Sequence, residues 1–218
     1  MVLLHVKKGE ESLFLYPCQV TDPVESVLGK VWSVWWCGTR LLILFLVQVV
    51  SIYNGRRKVL RLAEEIKDLA KHGVVMKAEL QGLHPDQVKE LKLVDEYEEQ
   101  CQPSGGFAYE ADPVQRRNGR APVRDLKNVL TKAADEAKEK VHKDNVKAGV
   151  EVGEKTVRDS LDLMSGAVTI VWPMGLPHHD PVRMELENCE DLTGTQESKM
   201  VIDPQRANMW FANKEMMR

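Results

Sequence analysis

The chain has 218 residues and a formal charge of −3, with 43% hydrophobic and 29% charged residues. Its length supports one good core with a small appendage, and its composition is that of an ordinary globular protein. The near-neutral balance supplies no global field toward nucleic acid or anionic membrane. The four cysteines, Cys18, Cys37, Cys101 and Cys189, are scattered and form no C-x-x-C pair. Thiols in a reducing compartment are therefore expected rather than disulfides or a zinc site.

In chain order, the opening MVLLHVKKGEE turns charged too soon for a signal peptide's apolar stretch. Val2–Val6 and Leu13–Tyr16 read as two strands joined at Gly9. Asp22-Pro23-Val24-Glu25 is a helix start: Asp22 can cap, Pro23 suits the first turn, and Glu25 sits where a capping box places its acid. From Val27 to Val50 only Lys30 and Arg40 are charged. A membrane span needs about 20 apolar residues. A mid-span Arg40 costs about 2.5–3.5 kcal/mol against about 0.3–0.6 kcal/mol returned by each leucine or valine. Insertion is marginal, and an unusually apolar helix packed on the sheet is expected. A membrane anchor over residues 31–50 is the alternative.

Tyr53-Asn54-Gly55-Arg56-Arg57 reads as a turn closing this region. A helix follows, with Val59, Leu62, Ile66 and Leu69 at helical spacing and Gly73 as its stop. Pro85 opens a short helix with Val88 and Leu91 as apolar positions and Val94 as a further one. Residues 101–122, rich in Gly, Pro and Arg, read as a long surface loop. A clean amphipathic helix spans about Val123–His142, with Leu126, Val129, Leu130, Ala133, Ala137 and Val141 on its apolar stripe. Lys155–Met164 is a further helix stopping at Gly166. A last helix is expected from Asp203-Pro204, with Trp210 and Phe211 docking it.

Between these lies the stretch GAVTIVWPMGLPHHDPVRMELE. Ala167–Trp172 is an apolar, β-branched run of strand length. Val182–Glu187 alternates, with Val182, Met184 and Leu186 on one face. Pro173, Gly175, Pro177 and Pro181 force a stiff turn between them. The fold class expected is α+β: a β-grasp (ubiquitin-like) sheet made of the N-terminal and late hairpins, from residues 1–25 and 150–190. The remainder divides into an apolar insert at 26–46, a helical insertion at 47–149 and a C-terminal helix within 191–218.

No constellation for catalysis emerges. GVEVGEKT, at Gly149–Thr156, misses the phosphate-loop spacing by one residue, and Glu154 separates Gly153 from Lys155. His178-His179-Asp180 has no second cluster to complete a metal shell, so water-exposed loop histidines are expected. Ser104-Gly105-Gly106 lacks a nucleophile elbow. Arg116, Arg117 and Arg120 lack interleaved aromatics and read as a solvated loop. A binding or scaffolding role, with no enzyme activity, cofactor or metal, is what remains.

Several stretches carry a resemblance: MVLLHVKKGEESLFLY, VQVVSIYNGRRKVLRLAEEIKDLAKHG, LQGLHPDQVKELKL, CQPSGG, RRNGRAP and above all GAVTIVWPMGLPHHDPVRMELENCEDLTGTQ. Together these resemble the Kurly family of cilia- and flagella-associated proteins. The resemblance implies a noncatalytic adaptor in the cytoplasm, at the cilium base and in the nucleus. Such an adaptor supports axonemal dynein-arm assembly and cilium movement, with a link to planar cell polarity. Its implied partners are other cytoplasmic dynein-assembly factors, with neither nucleic acid nor membrane. The proline loop, Pro173, Met174, Gly175, Leu176, Pro177, Asp180 and Pro181, is the candidate partner-binding element. Two departures stand out. Residues 26–46 look inserted, and relatives continue past Arg218 into a lysine-rich tail. As a hypothesis, the insert is translated intron, since Gly29-Lys30 can be encoded by a donor-like string; an uninterrupted exon across these codons would end that idea.

Overall fold

A computed structural model of the protein describes residues 2–18, 35–83, 85–207, 209–211 and 214–216. The helix start expected at Asp22–Glu25 and the 26–34 part of the apolar insert lie outside these residues. The chain forms two compact units. One comprises Met1–Arg57, Lys140–Arg158 and Leu192–Arg218; the other comprises Lys58–Glu139 and Asp159–Asp191.

The first unit opens with strands β1 (Val2–Lys8) and β2 (Glu11–Cys18), paired antiparallel from Val2↔Cys18 to Lys8↔Glu11 with an irregularity at Val6/Lys7. Gly9 turns the hairpin at φ +62°, a conformation that only glycine adopts without strain. Phe14 is fully buried, and Val152 donates its N–H to the Leu15 carbonyl at 2.9 Å. Helix α1 (Trp35–His72) contributes its first part to this unit and its remainder to the other. Leu46, Val50, Ile52 and Tyr53 are among its buried positions here.

The turn expected at Asn54-Gly55 is instead helix, because both residues serve tertiary contacts. Asn54 clamps the backbone of Ile202 through both amide atoms, at 2.8 and 3.0 Å. A Cβ on Gly55 would lie 2.7 Å from Val157 Cγ1, so glycine is what lets the two helices approach. Arg56 is buried beside the Phe14 ring and donates two hydrogen bonds, of 3.0 and 2.8 Å, to the Val141 carbonyl. That carbonyl ends helix α4 (Arg124–Val141) and would otherwise lack a donor. The C-terminal helix expected from Asp203 is a single turn over Pro204–Arg206. It is followed by a hairpin of two short strands, Met209–Phe211 and Lys214–Met216. Asp203 caps only that turn, accepting from the Gln205 N–H at 2.9 Å. The docking expected of Trp210 and Phe211 lies outside the described side chains.

In the second unit α1 continues with Val59, Leu62, Ala63, Ile66 and Leu69 buried, the spacing expected, and stops at Gly73. Gly73 has φ +76°, and a Cβ there would meet the Arg120 carbonyl and Asn118 Oδ1 at 2.5 Å. The chain then forms two short helices, α2 (Pro85–Glu90) and α3 (Tyr97–Gln100), and the strands β3 (Phe107–Tyr109) and β4 (Arg120–Pro122). The 101–122 segment is therefore not a free surface loop: Cys101, Pro103, Arg117, Gly119 and Ala121 are buried. α4 adds Leu130, Ala133, Ala134 and Ala137 to the core.

The largest correction concerns the late hairpin. Ala167–Val171 is the end of helix α5 (Glu154–Val171), and Val182–Leu186 belongs to helix α6 (Pro181–Leu186). Met164, Ala167, Val168 and Val171 are buried while Thr169 and Ile170 are exposed. That pattern has the helical period, and packing overrides the strand preference of the β-branched residues. Gly166 is an ordinary exposed position inside α5 rather than its stop. In α6, Asp180 caps and Pro181 takes the first turn, placing Val182 and Glu185 inward. The α+β class holds, with an N-terminal hairpin. The four-stranded grasp sheet does not form: among the described residues each sheet has two strands.

Candidate functional site

The proline loop joins α5 to α6 within the second unit. Trp172 extends the helical bonding to Val168 at 2.8 Å, and Gly175, at φ +84°, closes a tight turn onto the Trp172 carbonyl at 2.9 Å. Leu176 and Pro177 are buried, so they anchor the loop. Arg183 donates from Nη1 to the Leu176 carbonyl at 2.7 Å. Pro173 and Met174 project outward, Met174 with 83% of its surface exposed. Ile170, 61% exposed, lies on the last turn of α5 just before them.

Asp180 holds the far end of the loop and is completely buried. Its Oδ1 accepts from the Val182 N–H, the N-cap bond of α6, and its Oδ2 accepts from the Val75 N–H, both at 3.0 Å. Arg117 Nη1 lies 3.8 Å from Oδ2 and donates to the Gly73 carbonyl at 2.9 Å, while Nη2 pairs with Glu65 at 2.8 Å. The carboxylate's charge is thus matched by a buried guanidinium, the arrangement a buried acid requires. Arg117 had read as part of a solvated loop. The structure instead makes it the bridge between α1 and the proline loop.

The two histidines differ in exposure although their rings touch. His178 is exposed, and its Nδ1 lies 2.7 Å from the Tyr97 hydroxyl. His179 is half-buried rather than water-exposed, with Nε2 at 3.0 Å from the Val75 carbonyl, so that nitrogen carries the proton. Tyr97, His178 and His179 contact one another edge to face at centroid distances of 5.2–5.5 Å, and Lys77 covers the Tyr97 ring. Among the described residues no group of three or more His, Cys, Asp or Glu could hold a metal ion. The arrangement presents an exposed apolar tip beside a buried, hydrogen-bonded base.

Of the candidate loop residues, the structure therefore assigns Leu176, Pro177 and Asp180 to the anchor and Pro173 and Met174 to the exposed tip. Glu65, Lys77, Tyr97 and Arg117 complete the support. They come from four other segments, and nothing in their local sequence marks them except Arg117, in its Arg-Arg-Asn-Gly turn.

Compared with known proteins, the chain is 46% identical over 218 residues to the human cilia- and flagella-associated protein 298, covering all of this chain and 69% of that one. It is 45% identical over the same span to the 298-A protein of Xenopus laevis, covering 69% of it. The Drosophila melanogaster protein is 42% identical over 217 residues, with 68% of it covered. The chain belongs to the cilia- and flagella-associated protein 298 family. No family model and no solved structure matches it. The family's name ties its members to cilia and flagella, so the ciliary character implied by the resemblance holds at that level. Among the described residues no helix is long and apolar enough to cross a membrane, so the anchor over 31–50 is not favoured.

Proposed function

We propose that this protein is a noncatalytic adaptor supporting axonemal dynein-arm assembly, and hence ciliary beating, and that the proline loop is where it holds a partner. The partners are other cytoplasmic dynein-assembly factors, met in the cytoplasm and at the cilium base. Family membership supports the ciliary setting. The observation that carries the docking role is the contrast within one loop, a fully buried Asp180 and an 83% exposed Met174. A large apolar side chain held out on a stiff base loses little conformational freedom on binding, which favours affinity. Methionine also adapts to uneven apolar surfaces.

The test is rescue of beating in ciliated cells that lack their own copy. Met174→Asp is expected to leave folding intact, because the side chain touches solvent, yet to restore few motile cilia. Full rescue by Met174→Asp at wild-type abundance would overturn the docking role.

A further inference from the structure

We infer that the ledge between α2 and α3 is a second docking surface, one that takes a basic amphipathic helix of a protein partner. This deepens, and rests on, the adaptor reading. Leu91, read from sequence as an apolar position of a short helix with Val94 as a further one, is 60% exposed, and Val94 is 76% exposed. The backbone holds them out. Leu91 and Leu93 close the end of α2 on Gln87 and Val88, while Lys92 between them occupies the left-handed region at φ 51°. Asp95 then caps Tyr97 at 3.0 Å, starting α3, which meets the proline loop through the bond from Tyr97 to His178. The ledge is thus built onto the support of the exposed Met174 loop.

Charge selects the occupant. Between Pro85 and Gln100 the sequence has six acidic residues, Asp86, Glu90, Asp95, Glu96, Glu98 and Glu99, against Lys89 and Lys92. Glu96 and Glu98 are paired with Lys77 and Arg120. The carboxylates of Glu90 and Glu99 have no hydrogen-bond or ion-pair partner among the described residues. Two exposed apolar side chains in a segment with this excess of acidic residues repel nucleic acid and anionic lipid and attract lysine or arginine. A helix with an apolar stripe and basic flanks satisfies both features at once.

The test titrates the full chain with a fluorescent 18-residue helix of leucine and lysine, its leucines spaced i, i+3, i+4, i+7. An all-lysine peptide of the same length serves as control. Binding of the leucine-bearing helix is expected to weaken by about tenfold or more in Leu91→Asp/Val94→Asp and to fall with added salt. A Leu91→Ser/Val94→Ser variant, with no added charge, should also bind more weakly, and circular dichroism should show both variants folded. Equal affinity of wild type and both variants, or equal affinity for the all-lysine peptide, would overturn the inference. The two readings fail separately, since this titration judges the ledge and rescue by Met174→Asp judges the adaptor role.

Discussion

Two buried carboxylates in the second unit meet opposite fates. Asp180 has both oxygens bonded to backbone N–H groups and Arg117 alongside. Glu185 is also buried; its Oε1 accepts from Arg61 Nε at 2.9 Å, while its Oε2 has no hydrogen-bond partner among the described residues. Burial pushes the Glu185 carboxyl above its ordinary range, outweighing the lowering by Arg61 and Lys58; Glu190 adds to the rise. A folded pKa above the unfolded one means that the fold favours the protonated acid. Its contribution is complete below the unfolded pKa, about 4.3, and is lost as pH rises through the folded pKa. Glu185→Gln keeps an acceptor for Arg61 and removes the titration. Thermal melts at pH 4 and pH 7 should show the variant gaining on wild type at the higher pH. A constant or shrinking difference would show that the Arg61 pair, not burial, dominates.

At the scale of elements, two glycines report opposite local environments. Gly166 lies inside α5 with open space where a Cβ would stand, so Gly166→Ala should stabilise by about 0.5–1 kcal/mol. Gly55 faces Val157 at 2.7 Å, so Gly55→Ala should destabilise by about 1–3 kcal/mol through overpacking. Denaturant unfolding of the two variants checks both signs. A destabilising Gly166→Ala would speak for the C-terminal stop read from sequence. The helices of the 58–72 and 124–141 stretches were legible because their apolar residues recur with a helical period over several turns. The end of α5 was not, because an apolar run of six residues fits either a strand or a buried helix. Alternation in the α6 segment misled for a related reason: over so few residues, Val182 and Glu185 fit a helical face as well. The proline loop itself was legible from its four breakers, but its burial pattern depends on Val75 and Arg117, which lie far away in sequence.

For the whole molecule, the ciliary family was legible in the motifs, and the grasp sheet was not, because its second pair of strands is helical. What remains is an α+β protein of two units whose second unit carries an exposed methionine on a buried acidic anchor. If that tip is where a partner docks, a photo-crosslinking residue in place of Met174, expressed in ciliated cells, should join the chain to a discrete protein partner. Mass spectrometry should identify a cytoplasmic dynein-assembly factor. The same residue at Val129, which is 38% exposed on α4, should not capture it. No adduct at 174, or the same adduct at equal yield from 129, would contradict the account.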